Sequence, residues 1–359
     1  MIEAMDHQEK RTPILLTHAL FQSPLHPDYH PLRIQRAGPL IKILEILDWL
    51  TPSERRTIVP MSRKDQERFH TSDYLDALEA ASVGKANLTD VKKRYQLGTR
   101  DNPILPTMAE RARLLAGGSA MAAELSLKNR VVFSPSGGAH HGMPDRANGF
   151  CYTNDPVFAI KTYFDHGLSR IAYVDLDAHH GDGVEEVFLG DKRVLMISIH
   201  ESGRWPGTGQ KDGVNAINRP VAKGFNDTEL FRLLDDDILP VLHNFNPDAM
   251  VILSGADAMA GDPLMGLSLT NYGLVQAINI LLPLAQSAIL LGGGGYNPWT
   301  TIRYWTMLWA TLSGRGIPPS VTPEIKSILK SLDCARIKSH AVNQHWFSSF
   351  SDQISDSNH

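Results

Sequence analysis

The chain has 359 residues, 42% of them hydrophobic, with a formal net charge of −4 and no stretch apolar enough to cross a bilayer. Lys and Arg are scattered rather than grouped, so the charge gives no reason to expect a nucleic-acid or membrane partner. Two cysteines, Cys151 and Cys334, favour a reducing compartment over a disulfide framework. Because no apolar leader follows Met1, we expect a cytoplasmic protein, and export through a dedicated secretion system stays open.

Short apolar runs alternate with longer stretches of helical period, which predicts a parallel sheet covered on both faces. The apolar runs predict seven strands, at Thr12–Thr17, Thr57–Pro60, Arg130–Ser134, Arg170–Asp177, Arg193–His200, Ala249–Asp257 and Ser287–Gly292. The stretches between them predict six helices, at about Arg36–Leu50, Thr107–Leu127, Tyr152–Phe164, Asp227–Phe245, Asn271–Gln286 and Trp299–Leu312. The segment from Asn226 to Glu229 places small polar caps before an apolar period, which is typical of a helix start.

We predict one folded α/β domain over residues 11–335, with a flexible N-terminus over 1–10 and a tail over 336–359. From about Gly314 onward the alternation of strands and helices is lost. The last dozen residues are rich in Ser and Asp, which indicates a frayed end.

The segment that follows the fourth predicted strand carries three acids and two histidines. Residues two apart on a strand point the same way, so we expect Asp177 and His179 to share one side. A carboxylate and an imidazole are costly to bury without a cation, so the pair predicts two ligands of a divalent metal. Such an ion, with one open position, can activate water at neutral pH. An acidic loop after a strand is also often only a helix cap, and this segment alone leaves both interpretations open.

Four loops after predicted strands carry residues suited to chemistry, in the segments Ser136–Gly142, Asp175–Asp182, Ser254–Pro263 and Gly292–Pro298. The carboxyl ends of parallel strands meet at one edge of a sheet, so Asp257 can join Asp177 and His179 around one ion. The glycines from Gly292 to Gly295 allow a close backbone approach and direct Tyr296 inward.

Each of these loops also has a plainer interpretation. His140 and His141 could be packed histidines under a loop, and Tyr296 could serve packing alone. The glycine run resembles a phosphate-binding turn but lacks the spacing and the Lys-Ser/Thr pair of a P-loop. The joint occurrence of all four loops at matching strand ends favours metal-dependent hydrolysis.

Six motifs, in matching order, resemble those of the zinc-dependent histone deacetylases: Ser136–His141, Gly149–Asp155, Asp175–Gly183, Pro206–Gly209, Gly255–Leu264 and Gly292–Asn297. Two further segments, Gly98–Pro103 and Met143–Arg146, resemble bacterial members that include the acetoin-utilisation proteins. The resemblance covers about residues 16–312. It implies the arginase–deacetylase fold, a single domain with an eight-stranded parallel sheet and helices on both faces, and makes residues 11–335 the catalytic domain.

The resemblance also implies two metal sites. Asp177, His179 and Asp257 would hold Zn²⁺, and a site of this composition also suits Fe²⁺. A structural monovalent cation, K⁺, would be bound by a second group of residues: Asp175, Ser198, and the carbonyls of Asp177, His179 and Ile199.

The resemblance assigns catalytic roles to five side chains. His141 would be the general base and acid, oriented by Asp182. His140, paired with Asp175, would be more cationic and would stabilise charge and position the water. Tyr296 would donate its phenol to the developing oxyanion. Zinc, phenol and a histidine tuned near neutrality together supply what amide hydrolysis requires.

The implied substrate residues are Gly149, Phe150 and Trp205 in an acyl tunnel, Asp101 on its rim, Leu264 at its gate and Arg36 in an internal product cavity. These roles predict removal of acetyl or other short acyl groups from lysine side chains of proteins or peptides. Leu264 stands where a polyamine-selective relative carries Glu, which favours acyl-lysine over acetylpolyamines. Residues 265–268 depart from the family pattern near the mouth, and leave the substrate preference open.

Three other functions are weighed against this prediction. An acetylpolyamine hydrolase shares the fold and the reaction, and differs only in the substrate. An arginase-type enzyme needs two manganese ions and an acid two residues beyond the histidine, where this chain has Gly181. A silent acyl-lysine-binding module would be expected to lack the tyrosine or a ligand, and none is missing here. The sequence does not decide the natural acyl chain or the oligomeric state.

Overall fold

A computed structural model describes residues 12–128 and 130–353, so the predicted flexible segment 1–10 lies outside the described residues. Eight parallel strands form one sheet: β1 Thr12–Thr17, β2 Arg55–Thr57, β3 Arg130–Ser134, β4 Ile171–Asp175, β5 Val194–Glu201, β6 Ala216–Val221, β7 Ala249–Leu253 and β8 Ser287–Leu291. Their order across the sheet is β2-β1-β3-β8-β7-β4-β5-β6. The predicted eight-stranded parallel α/β sheet is confirmed.

Within the described residues, the α-helices are α1 Ala37–Ile46, α2 Arg63–Gln66, α3 Ser72–Ser82, α4 Leu88–Tyr95, α5 Met108–Ser126, α6 Asp155–Asp165, α7 Asp182–Phe188, α8 Asp227–Leu233, α9 Leu239–Phe245, α10 Asn271–Leu281, α11 Pro298–Leu312 and α12 Pro323–Ser331. All six predicted helices are present. The predicted start at Asn226 is a full capping box, in which the Asn226 side chain accepts from the Glu229 N–H, and the Glu229 carboxylate accepts from the Asn226 N–H. None of the helices described in this structure is long and apolar enough to span a membrane.

Helices cover both faces of the sheet, as predicted. Alternate residues of β4 point to opposite faces, so Ala172 and Val174 belong to one hydrophobic core, and Ile171 and Tyr173 to the other. The first core includes side chains of α1, α10 and α11, and the second includes side chains of α5 and α6. Every residue of β4 is buried, which is typical of a central parallel strand.

Several elements differ from the sequence prediction at the edges of the sheet. The second strand is Arg55–Thr57 rather than Thr57–Pro60, and β6 was not predicted. Both are edge strands with polar residues, among them Arg56 in β2 and Asn218 in β6, so neither has the apolar run that marks a buried strand. The sequence also does not predict five helices, each of which is short or rich in polar residues: α2, α3, α4, α7 and α12.

The C-terminal segment is packed rather than frayed over its described part. Phe350 is fully buried, and Trp346 and Phe347 belong to the same hydrophobic core as α11. The Asn271 amide donates to the Phe350 carbonyl at 2.7 Å. The interpretation of the last dozen residues as frayed is therefore wrong as far as residue 353, because the Ser and Asp content concealed an anchoring aromatic residue. The bounds of the catalytic domain stay a prediction.

Candidate active site

The four loops singled out in the sequence follow four neighbouring strands. The order β3-β8-β7-β4 places the ends of these strands side by side at one edge of the sheet. β4 ends at Asp175 and β7 at Leu253, both earlier than predicted, so Asp177 and Asp257 lie in loops. This edge is where open parallel sheets place their ligands.

Asp177, His179 and Asp257 form one compact cluster, whose potential ligand atoms lie within 4.8 Å of one another. His179 Nδ1 is 3.1 Å from Asp177 Oδ1 and 2.9 Å from Asp257 Oδ2. The sequence predicted this proximity, but it arises in a loop rather than along a strand. The Gly294 N–H donates to Asp177 Oδ2 at 2.6 Å, and a Cβ at Gly294 would overlap the carboxylate of Asp257. The predicted close backbone approach of the glycine run is therefore made to these two acids.

The charges of the cluster fit a divalent cation. Both aspartates are fully buried, and neither forms an ion pair with Lys or Arg in the described part of the chain. Burial and the neighbouring carboxylate of Asp177 raise the pKa of Asp257. Two buried carboxylates that repel each other beside an imidazole provide the O,O,N donor set that a divalent metal prefers, with positions left open for water and substrate.

His140 and His141 lie next to this cluster, each paired with its own acid. His140 Nδ1 is 2.7 Å from Asp175 Oδ2, and His141 Nδ1 is 2.6 Å from Asp182 Oδ1. A carboxylate can only accept a hydrogen bond, so both rings carry a proton on Nδ1 and turn Nε2 away from the acid. The Tyr173 hydroxyl also donates to Asp175 Oδ2, at 2.5 Å.

The two histidines have opposite electrostatic environments. Burial disfavours the charged form of His140, but Asp175 and Asp177 outweigh it and raise its pKa to about 9. Burial and the adjacent charge of His140 lower the pKa of His141 to about 3. These shifts favour a cationic His140 and a neutral His141 at neutral pH. The resemblance implies a catalytic histidine tuned near neutrality, and the pKa of His141 lies well below that.

Tyr296 faces the cluster from the loop after β8. It is 7% exposed, and its ring centroid is 6.3 Å from that of His179. Burial raises the pKa of Tyr296 well above its ordinary value, so the phenol keeps its proton and remains a donor. Asp262 Oδ2 accepts from the Tyr296 N–H at 2.8 Å and fixes the turn that carries the ring. Asp262 lies in the motif Gly255–Leu264, and the sequence alone predicts no role for it.

The cluster opens into a cavity of about 140 Å³. Gly149 and Phe150, to which the resemblance gives a place in an acyl tunnel, line this cavity, and the Phe150 ring centroid lies 5.9 Å from that of Tyr296. Trp205, 48% exposed, packs edge-on at 4.6 Å over the His141 ring. A side chain at Gly149, which has φ of 50°, would overlap Trp205.

The remaining predicted residues lie at the two ends of the cavity or apart from it. Arg36 lines the inner end, and its Nη1 donates to the Gly293 carbonyl at 3.0 Å. Asp101 is exposed, and its carbonyl oxygen, not its carboxylate, lies 3.0 Å from His30 Nε2. Leu264 is half-buried, and its N–H donates to Asp262. Neither Asp101 nor Leu264 is among the described residues that line the cavity.

The predicted monovalent-cation residues lie on β4, β5 and the loop after β4. Asp175 and Ser198 are direct partners in the register of these two strands. Asp175 Oδ1 accepts from the Asp177 N–H at 3.0 Å, and Ser198 Oγ is 2.9 Å from His200 Nδ1. The strand pairing thus brings together the two side chains that the resemblance assigned to K⁺, and Ile199 follows directly on β5.

Two supporting residues escaped the sequence analysis. Asn148 donates to Asp182 Oδ2 at 3.1 Å and to the His141 carbonyl at 3.2 Å, which fixes the pair from outside. Asp155 is fully buried and accepts N–H donors from Gly138 and Ala139 at 2.9 and 2.7 Å, which holds the loop before His140. Asp155 lies in one of the motifs that carry the resemblance and Asn148 lies next to it, and the available signal was a polar residue at these places without an assigned role.

The histone deacetylase domain family matches residues 30–312 of this chain. The chain belongs to the histone deacetylase family. Over 300 residues, 80% of each chain, this deacetylase is 33% identical to Histone deacetylase 8 of Xenopus tropicalis. It is also 32% identical to the acetoin utilization protein AcuC of Bacillus subtilis over 321 residues. The aligned region covers 85% of this chain and 83% of that protein.

Solved structures show the same fold. A crystal structure of an HDAC homolog from Aquifex aeolicus superimposes with a TM-score of 0.90 at 31% identity, covering 96% of this chain and 95% of that one. An HDAC homolog complexed with SAHA superimposes with a TM-score of 0.89, at the same identity and coverage. The predicted arginase–deacetylase fold is confirmed, and the protein is a deacetylase, a hydrolase, as predicted.

Proposed function

We propose that this deacetylase removes acetyl or other short acyl groups from lysine side chains of proteins or peptides. One observation carries the proposal. The cluster of Asp177, His179 and Asp257 lies at the same cavity as His141 and the buried phenol of Tyr296. His141 is neutral and is hydrogen-bonded to Asp182. These are the donors, base and ligands that amide hydrolysis requires.

Asp177, His179 and Asp257 would hold one divalent ion, Zn²⁺ or Fe²⁺, and Asp175 with Ser198 would contribute to a structural K⁺ site. When bound, the divalent ion polarises the amide carbonyl and lowers the pKa of a water molecule. The two aspartates supply the negative charge that such an ion needs, and the backbone N–H of Gly294 and the N–H of Ala178 keep them oriented at 2.6 and 3.1 Å.

His141 moves the proton. Because Asp182 accepts a hydrogen bond from the protonated Nδ1, Nε2 has a free lone pair and takes the proton of the attacking water. The low pKa of His141, caused by burial and the charge of His140, makes the protonated ring a strong acid. It therefore gives the proton readily to the departing lysine amine, and the amide C–N bond breaks.

Two other groups stabilise the charge that develops on the substrate. Tyr296 donates its phenol hydrogen to the acyl oxygen as that oxygen becomes negative. His140 opposes the same charge, because the carboxylate of Asp175, 2.7 Å from its Nδ1, raises its pKa against the effect of burial and favours the cationic ring. Trp205 and Phe150, the first half-exposed, frame the alkyl part of the lysine and limit the access of water.

The acyl-lysine assignment predicts a clear substrate order. With purified, metal-loaded enzyme, kcat/KM for an acetyl-lysine peptide should exceed that for acetylspermidine and acetylputrescine by about tenfold or more, because the half-buried Leu264 offers an amine no partner, and each 1.4 kcal/mol of lost interaction is tenfold. A hydroxamate should abolish all turnover. A strong preference for acetylpolyamines would replace the protein substrate, and full inertness after metal reconstitution would favour a silent binding module.

The structure argues against the competing function of an arginase-type enzyme with two manganese ions. A Cβ at position 181 would lie 2.6 Å from Asp175 Oδ2, so the acid that a second manganese ion needs does not fit at Gly181. Within the described residues, one cluster of three ligands is present. Elemental analysis should therefore give one divalent ion per chain, and two manganese ions per chain would contradict the proposed reaction.

A further inference from the structure

Two arginines line the inner end of the cavity. Arg36 precedes α1 and Arg111 lies on α5, and each guanidinium donates one hydrogen bond to a backbone carbonyl, that of Gly293 for Arg36 and that of Leu20 for Arg111. Five N–H donors are available on each group, so most of them remain for another acceptor. Neither arginine forms an ion pair with any acid in residues 12–128 and 130–353.

Aromatic rings keep both guanidinium groups in place. Arg36 lies 5.4 Å from the centroid of Trp305, and Arg111 lies 4.9 Å from the centroid of Phe21. Arginines held in this way lose little further freedom when they bind a planar, bidentate acceptor. The guanidinium groups of Arg36 and Arg111 are thus preorganised hydrogen-bond donors.

Positive charges outnumber negative charges among the side chains that line the cavity. Burial and the nearby charge of Arg36 lower the pKa of Arg111 to about 10, so it is still cationic at neutral pH. Burial, with the charges of His30 and the two arginines, lowers the pKa of His26 to about 3, so that ring is neutral there. Asp177 is the only carboxylate among the described residues that line the cavity, and the proposed divalent ion would neutralise it.

Most of the side chains that line the cavity are apolar. Ala139 contributes only a methyl group next to His140, and further apolar lining residues include Leu32, Ile34, Leu105, Met108 and Leu115. Arg36 reaches close to the reaction centre, because it binds Gly293, the neighbour of the glycine that donates to Asp177. A short acyl chain that ends in a hydrogen-bond acceptor therefore suits this part of the cavity.

We propose that this cavity selects acyl groups that end in a second carboxylate, such as succinyl or glutaryl, and that Arg111 and Arg36 bind that carboxylate. The inference rests on the proposed lysine deacylation and names its acyl chain. Water adds to the acyl carbon, the C–N bond breaks, and the lysine amine leaves with the proton. The products are free lysine and a dicarboxylate, so no further reactant is needed. Paired guanidinium and carboxylate groups in a desolvated site form strong bidentate hydrogen bonds.

The test uses one peptide with five acyl groups on its lysine: acetyl, butyryl, pentanoyl, succinyl and glutaryl. Pentanoyl has nearly the size of succinyl without its charge. For the metal-loaded wild-type enzyme, we expect kcat/KM for succinyl or glutaryl to exceed that for pentanoyl by about tenfold or more. Equal or better hydrolysis of the neutral chains would overturn the inference.

Variants of α5 identify the residue responsible. Arg111→Met should lower the succinyl-to-pentanoyl ratio of kcat/KM by about 30-fold, and Arg111→Lys should keep part of it, because it retains the charge but not the fork. Arg113→Met is the matched control, since Arg113 lies on the same helix, binds the Met61 carbonyl at 2.9 Å and does not line the cavity. A ratio unchanged in Arg111→Met would contradict the inference.

The acetyl peptide separates the two proposals. Hydrolysis of acetyl-lysine with no advantage for the dicarboxylic chains would overturn this inference and leave lysine deacylation in place. Failure of every acyl-lysine peptide, acetyl included, in enzyme shown to hold its metal would overturn the proposed function, and this inference with it. The succinyl-to-pentanoyl ratio of kcat/KM is measured on one sample of each variant, so it does not depend on the fraction of the protein that is folded.

Discussion

Replacing Tyr296 by Phe should lower the turnover of an acyl-lysine peptide by about 10²–10³-fold, the usual cost of losing one oxyanion donor. The variant should keep its metal, because the phenol oxygen is not among the three potential ligands. The backbone contact of this residue also survives, since Asp262 binds the Tyr296 N–H and not the ring. Turnover measured under saturating substrate, together with the metal content per chain, tests both statements.

Tyr272→Phe provides the matched control for this experiment. Tyr272 is half-buried on α10, does not line the cavity, and loses only a hydroxyl group in the same substitution. The turnover of Tyr272→Phe should stay within about twofold of wild type, because a substitution remote from the active site and partly exposed to solvent changes the stability of the protein little. If Tyr296→Phe turned over like wild type, Tyr296 would have no part in the reaction.

Replacing Asp257 by Asn should abolish metal-dependent turnover without unfolding the protein. The substitution removes one of the two buried carboxylates, whose mutual repulsion, together with burial, raises the pKa of Asp257. The metal-free protein should therefore be at least as stable as the metal-free wild type. A ligand at 100 times its Kd stabilises the native state by about 2.7 kcal/mol. We expect this gain in wild type and its loss in Asp257→Asn.

Thermal unfolding with and without added zinc measures the difference. The midpoint of wild type should rise with zinc and fall after chelation, and the midpoint of Asp257→Asn should stay the same in both conditions. Asp236→Asn is the control, because Asp236 is exposed and forms no ion pair within the described residues. A zinc-dependent rise of equal size in Asp257→Asn would mean that the ion binds elsewhere.

The centre of the fold could be predicted from the sequence, and its edges could not. β3 was predicted at its observed bounds, because a buried parallel strand is an uninterrupted apolar run. β6 contains Asn218, Arg219 and Pro220, and an edge strand with one solvated side carries no such run. Phe350 shows the same limit, since one aromatic residue in a polar segment does not reveal that it anchors the chain.

The candidate site could be predicted where its residues lie close in sequence or follow neighbouring strands. Asp177 and His179 are two residues apart and follow β4. Asp257 follows β7, which pairs with β4. Arg111 could not be predicted, because its role depends on the cavity that α5 forms with segments far apart in the chain. The opposite pKa shifts of His140 and His141 could not be predicted either, since they depend on burial, on the distances to Asp175, Asp177 and Asp182, and on the distance between the two rings.

The proposed reaction requires a single divalent cation between the loops that follow β4 and β7. Crystals grown with zinc and measured at its absorption edge would locate that ion by anomalous scattering. We expect one peak per chain, coordinated by one oxygen of Asp177, one oxygen of Asp257 and the Nδ1 atom of His179, with Tyr296 facing it across the cavity. Density that showed these three side chains turned apart, with no peak between them, would contradict the account.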